Sequence, residues 1–471
     1  MNNKKHIYII NKLFINLKKI NKNNLNYLFN NDYDRFSKFS FLKNDILIDY
    51  SRNFLNLEIL KLLIKLSINF NIDKFIKNEI NIKNNLIISD KDIYKFFISN
   101  DKINIFSKFL SKKKINILLK LKYEYSLYEK KILFLINIYD DNLFFFYIIK
   151  FLNKYKKKNL ILLKININNI DVILNKYDIN LNNSLFFAFI EKDININYIL
   201  KLNSKFNFNI LDNTLFFIKN KSNIINIFLK YKIYNFKYIE NIKNNINFYL
   251  NIGLLISIYT NLNVFYDLIY GIIYFRNYIY NNLNSNISFI LGIIDIWNVF
   301  FLNKKNKYIV SNIKNSIFFI KKYNYKIKNN NFIKNNYFNK NLSFDYLLYI
   351  NNIKDEYISK IFSIIENITF FNNKYIKNTN YFDKSLNIII IKNINPFNIG
   401  ILDSIYEFRT KIYFFIKKKI ETILNNINNT NILNKVLTKK INSDLITEKQ
   451  IVEYNSSMNG IINFYKKYRN L

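Results

Sequence analysis

The sequence predicts an α/β protein built on parallel sheets, and three observations carry that prediction. Short apolar runs bounded by polar turns recur along the chain, each too brief for a helix and suited to a strand buried on both faces. Longer mixed segments lie between them and suit crossover helices. Half of the residues are hydrophobic, so 471 residues give ample material for a core and length for two domains or one large one.

Taken in order, the first stretch, MNNKKHIYIINKLFINLKKI, is interrupted by Asn and Lys and does not read as a secretory leader. NFLNLEILKLLIKLSI reads as a helix: Leu60, Leu63, Ile64 and Ile68 recur at helical spacing, Lys61 and Lys65 face out, and Asn56 can cap the start. The strand runs are KILFLINIY, NLILLKINI, SLFFAFI and LNIIIIKN. Residues 142–154 and 263–280 are expected as crossover helices, and the Asn-rich stretch 329–336 as a loop. The most apolar stretches, around 132–152 and 250–274, are broken by Asp140-Asp141 and by further Asn and Asp, so membrane spans are not expected. No internal repeat stands out.

The formal charge of +38 would ordinarily point to a polyanion or an anionic membrane. Here Lys is spread along the whole chain and only five of the 71 cations are Arg, the residue whose planar fork suits phosphate. Nucleic-acid binders gather their charge into a patch, so codon bias toward A and T explains this composition better. Cysteine is absent and His6 is the only histidine, which excludes disulfides, thiolate or histidine metal sites and Ser-His or Cys-His catalysis. A cytoplasmic protein is expected.

Against that bias, DYDRFSKFS (Asp32–Ser40) stands out, with an Arg, two Asp and two Ser in nine residues. Together with NDILIDYSRN it resembles the glucose-6-phosphate isomerase family, whose pattern runs D-R-F-x-K-F-S and then L-x-D-Y-S-K-N. INPFNIGILDSIYE (Ile394–Glu407) is similar to that family's I-T-P-F-x-L-G-x-L-I-A-x-Y-E, and NSSMNGIINFYKKYR (Asn455–Arg469) to its D-S-S-T-N-G-L-I-N-x-Y-K. NIGLLISIYTNLNVFYDLIYG and IIDIWNVFF fit its central helices. The rare letters agree: Gly253, Gly271, Gly400, Gly460, the sole Pro396 and the sole Trp297 all fall on family positions. Glycine persists where backbone angles or close packing exclude a side chain, so such survivors follow a fold.

The resemblance implies two doubly wound sugar-isomerase domains with helical arms, in a homodimer. Its division would be a helical segment at 1–110, α/β domains at 111–262 and 263–425, and a helical segment at 426–471. It implies interconversion of glucose 6-phosphate and fructose 6-phosphate without metal or cofactor. In the family a His and a Lys open the ring, a Glu moves a proton between C2 and C1 through an enediolate, an Arg stabilises the charge, and a Ser/Thr-rich loop holds the phosphate.

Carried across by position, the Arg falls on Asn245 and the Glu on Lys326. No histidine stands near SFDYLLY, where N-G-Q-H is expected. The phosphate loop becomes IEKDIN (Ile190–Asn195) and the Gly-rich turn becomes NIYDDN, which puts Glu191, Asp193, Asp140 and Asp141 where a phosphate dianion would sit. NILNKVLTK aligns with V-E-L-G-K-x-L-A and places Lys435 on the ring-opening lysine; Leu433, Val436, Leu437 and Ile441 equally make it the outer face of an amphipathic helix. Asp345 and Glu356 are replacement carboxylates whose commoner role is a solvated loop charge. Three readings follow: a sugar-phosphate isomerase with a rebuilt site, an inert descendant kept for binding or structure, and, ranked last, a basic nucleic-acid binder.

Overall fold

The computed structural model describes residues 2–20, 25–81, 132–136, 155–156, 161–165, 170–177, 184–190, 200–206, 214–218, 237–240, 259–304, 306–312, 326–328, 342–351, 355–370, 384–427 and 440–447, with isolated positions between and beyond them. Ten helices are used below: α1 (Asn2–Ile20), α2 (Leu25–Asn30), α3 (Arg35–Lys38), α4 (Leu57–Asn69), α5 (Ile72–Asn81), α6 (Ile170–Lys176), α7 (Leu262–Asn281), α8 (Ile287–Ile296), α9 (Asp355–Phe370) and α10 (Pro396–Ile427). A π-helical turn, Trp297–Phe301, continues α8. The strands are β1 (Ser40–Lys43), β2 (Ile46–Asp49), β3 (Ile132–Ile136), β4 (Ile161–Ile165), β5 (Ser184–Ile190), β6 (Thr214–Ile218), β7 (Lys237–Glu240), β8 (Asn306–Ser311), β9 (Lys326–Lys328), β10 (Leu342–Tyr349) and β11 (Ser385–Ile391).

All four expected strand runs are strands: β3, β4, β5 and β11. One sheet has the order β4-β3-β5-β6-β7 and is parallel throughout. The other has the order β1-β2-β11-β10-β8-β9 and is mixed, because the β1–β2 hairpin lies antiparallel on β11. The expectation of purely parallel sheets is corrected there, and the hairpin stands inside the N-terminal stretch expected to be helical. The first four parallel strands of both sheets, β3–β6 in one and β8–β11 in the other, wind alike: the second lies on one side of the first, and the third and fourth on the other. The winding therefore reverses between β3 and β5, and again between β8 and β10.

The helix read at Asn56 forms as α4, with Asn56 Oδ1 accepting from the Ile59 N–H. Its buried stripe is Ile59, Leu60, Leu63, Leu66 and Ser67, whereas Ile68 is 42% exposed. The inward face is set by residues a turn apart from Ile59 and Leu63, and Ile68 falls one position outside it. Residues 263–280 are helical within α7, but α7 follows the last strand of the five-stranded sheet and precedes the first parallel strand of the other. It is thus a link between sheets rather than a crossover within one. Residues 142–154 and 329–336 lie outside the described residues.

The core is built around α10. Pro396 opens it at the first helical position, where proline has no donor to lose, and Asn395 Oδ1 accepts from the Asn398 N–H. A methyl group at Gly271 on α7 would strike the Phe397 carbonyl oxygen, and one at Gly400 the Leu268 carbonyl oxygen. These two glycines let α7 and α10 touch backbone to backbone. Gly292 lets α8 lie close to the side chains of α10 instead, since a Cβ there would lie 2.9 Å from Ile412 Cγ2. Gly253 and Gly460 lie outside the described residues. Among the described residues no helix is long and apolar enough to cross a membrane.

Candidate functional site

The unusual N-terminal string has a structural task. Arg35 is 1% exposed and donates from Nε to the Ser51 carbonyl at 2.8 Å and from Nη2 to those of Asn53 and Leu55 at 2.9 and 2.8 Å. The chain from Ser51 to Leu55 is wound round this guanidinium, which also lies over the Phe39 ring at 4.6 Å. Burial draws Arg35 down to about 10, against the pull of Asp32 and Asp49. Asn53 carries the knot into the sheet, donating to Asn387 Oδ1 at 2.9 Å. Trp297 Nε1 donates to the Phe54 carbonyl at 2.6 Å and fixes the same loop to the π-turn.

Side chains alternate across the pleat, so β10 and β11 each present one face to α8 and α10. The amino-terminal half of that face carries Ser343, Asp345, Ser385 and Asn387, and all four are buried. Arg409, from α10, grips two carboxylates as a double fork. Nε and Nη2 reach Asp295 at 2.7 and 2.9 Å, while Nη1 and Nη2 reach Asp345 at 2.6 and 3.3 Å. Lys307 bonds to Asp295 and lies 3.7 Å from Asp345. Tyr406 Oη and Asn387 Nδ2 complete Asp345 at 3.1 and 2.7 Å.

The layer continues from Asn387 to Asn53, then to Asn298 at 3.4 Å, Ser385 at 2.6 Å and Lys304 at 3.0 Å. Two cations and two anions make the Arg409 quartet neutral, which is the condition for holding charge in an interior. Burial pushes the Asp295 carboxyl up to about 6, with Arg409 pulling the other way. Asp345 is raised well above the usual carboxylate range by burial and then by Asp295.

The structure places the expected site residues as follows. Asp345 is 0% exposed in mid-strand and ion-paired, which corrects its reading as a solvated loop charge. Glu356 is exposed in the first turn of α9. Lys326 is the first residue of edge strand β9, in register with Tyr308 of β8. Asn245, Lys435, Asp140, Asp141, Glu191 and Asp193 lie outside the described residues. The strands that lead to the last four, β3 and β5, are parallel neighbours whose carboxyl ends adjoin where the five-stranded sheet reverses. That is the place where open α/β sheets hold ligands.

With both windings in view, the comparisons decide the fold. The structure matches a glucose-6-phosphate isomerase from Chlamydia trachomatis over 92% of this chain and 98% of that one, with a TM-score of 0.68 at 9% identity. The chain has a sugar-phosphate-isomerase-like fold. A hypothetical protein from Thermus thermophilus matches at a TM-score of 0.47 and 9% identity, over 70% of this chain and 88% of that one. The C-terminal domain of glucosamine-fructose-6-phosphate aminotransferase from Francisella tularensis matches at 0.35 and 10%, over 76% and 96%. Neither of these two is similar enough to support an argument. No protein-family model matches the sequence, and no curated protein does.

Within this isomerase-like fold, sequence reasoning missed the quartet and a second buried pair, Arg276 Nη2 to Glu407 Oε2 at 2.6 Å, which Lys411 extends to Glu79. A signal was available in the scarcity of arginine. Arg35, Arg276 and Arg409 are all at least 98% buried, so three of the five arginines serve the interior rather than a polyanion.

Proposed function

We propose that this chain is a sugar-phosphate isomerase of the glucose-6-phosphate isomerase kind, interconverting glucose 6-phosphate and fructose 6-phosphate through a site rebuilt from other residues. The observation that supports it is the extent of the fold match, 92% of this chain and 98% of an isomerase. Beside it stand an Arg, two helix-crossing glycines, a proline and a tryptophan, each with a packing role against a strong codon bias. In this reading Lys435 opens the ring, and the protein works as a homodimer in the cytoplasm. Proton transfer between C2 and C1 falls to a group other than a glutamate at 326. A positioned base is worth roughly 10²–10⁴-fold and an oxyanion partner roughly 10²–10³-fold, so turnover is expected to be slow. A coupled assay on purified protein should show fructose 6-phosphate converted above an inert-protein control and inhibited by sugar-acid phosphates that mimic the enediolate. Turnover no higher than the control rejects the reading.

A second reading, an inert descendant kept for binding or structure, is favoured by the Lys and Asn that stand at the family's Glu and Arg positions, 326 and 245. It predicts a folded dimer with no saturable binding of fructose 6-phosphate by calorimetry, and tight binding would dismiss it.

A further inference from the structure

The six-stranded sheet reverses its winding between β8 and β10, and their backbone pairing stops at Ser311 opposite Leu347. Beyond that point the backbone contact is loose, with the Asn312 N–H 3.4 Å from the Leu347 carbonyl. The side chain of Asn312 continues the ladder instead. Its Nδ2 donates to the Tyr349 carbonyl at 2.8 Å and its Oδ1 accepts from the Tyr349 N–H at 3.0 Å. A primary amide carries one donor and one acceptor side by side, as a peptide group does, so it satisfies both backbone groups of Tyr349. On the other side of β10 a second amide pair, Asn351 Nδ2 to Asn393 Oδ1 at 2.9 Å, ties the end of β10 to the segment after β11.

We propose that Asn312 is a positioning residue for the substrate site: its amide holds the carboxyl ends of β8 and β10 together where the winding reverses and a ligand would lie. The role rests on the isomerase reading and on the rule that doubly wound sheets bind ligands outside their carboxyl strand ends at the reversal. Asn312 acts through Tyr349 and the strand end rather than by touching the sugar phosphate. The quartet anchors the amino-terminal half of β10 at Asp345, so the two ends of this strand are secured independently.

The test uses the full chain with Asn312→Ala and Asn312→Asp. One hydrogen bond is worth about 1 kcal/mol, or roughly fivefold in an equilibrium. Amide exchange at Tyr349 should therefore quicken about fivefold in N312A while Leu342–Asp345 stay protected. N312D, which keeps the acceptor for the Tyr349 N–H, should retain that protection. The Kd for fructose 6-phosphate, by calorimetry, should weaken about fivefold in N312A with little change in Tm. Unchanged exchange at Tyr349, or equal acceleration along all of β10, overturns the positioning role. Exchange is read without ligand, so an unaltered chain that fails to bind fructose 6-phosphate sinks the isomerase reading on its own.

Discussion

Arg35 and Arg409 are enclosed to the same degree, 1% and 0% exposed, yet the fold satisfies them in opposite ways. Arg35 is met by three backbone carbonyls, so its neighbourhood is held by neutral dipoles and depends on the path of the loop from Ser51 to Leu55. Arg409 is met by two carboxylates from α8 and β10, with Lys307 balancing the charge. The first arrangement can be dismantled by removing one side chain. The second is a set of mutually dependent ions, in which removing one member strands the rest. Loop geometry is therefore the partner of Arg35, and charge count is the partner of Arg409.

The sharpest way to break this comparison is Arg409→Met. Two buried carboxylates would then face Lys307 alone, and stability should fall by about 3–5 kcal/mol in urea titration. Replacing all four members together, R409M with D295L, D345L and K307M, should recover most of that loss, because no charge remains stranded. If the fourfold variant is weaker than the single one, the quartet is not the closed set described. Arg35→Met should cost less, about 2 kcal/mol, since each carbonyl that loses its donor carries a desolvation penalty but no charge is orphaned. A loss at Arg35 that exceeded the loss at Arg409 would invert the comparison.

pH separates buried charges of opposite kind. Lys384 is 1% exposed and lies over the Phe344 ring at 5.8 Å, and burial draws it from 10.5 down to about 8. Between those values the unfolded chain keeps a proton that the folded chain has released. This group's contribution to stability therefore rises as pH climbs from about 8 to about 10.5, by up to roughly 1.4 kcal/mol per unit. Asp295 behaves in the reverse sense at the acid end. Its folded carboxyl, at about 6, holds a proton that the unfolded chain loses near 3.8, so its contribution falls as pH climbs between the two. Urea titrations across pH should show the alkaline slope flattened in K384M and the acid one in D295N. A K384M profile that overlays the parent's would show that Lys384 keeps its proton in the fold.

What was legible in the sequence was what short range enforces. Runs such as SLFFAFI declare strands because their length and polar bounds permit nothing else, and Asn56 declares a cap because its partner, Ile59, lies three residues on. Pro396, Gly271 and Gly400 were readable because few backbones require them. The quartet was not readable: Arg409 meets Asp345 and Asp295 across 64 and 114 residues, and no spacing rule connects such positions. The β1–β2 hairpin is hard to read because its strands, SFLK and ILID, are only four residues each, too short for an alternation to stand out. Of the residues that stand at the family's catalytic Arg, Glu and Lys positions, only Lys326 lies among the described residues, so the scaffold was far more legible than the reaction.

The smallest effect tests the Arg35 neighbourhood from its edge. Asn56 is extended, with φ −119° and ψ 177°, and its side chain caps α4 at 2.9 Å from the Ile59 nitrogen. Asn56→Ala should cost about 1 kcal/mol if the cap acts alone. But the residue before it, Leu55, gives its carbonyl to Arg35, so the guanidinium that winds the loop also sets where the cap begins. In a double-mutant cycle of N56A with R35M the losses should fall short of additive by about 0.5 kcal/mol or more, since once the loop has unwound the cap has less left to lose. Strict additivity would mean that α4 holds its own start, and that Arg35 organises the loop without reaching the helix beyond it.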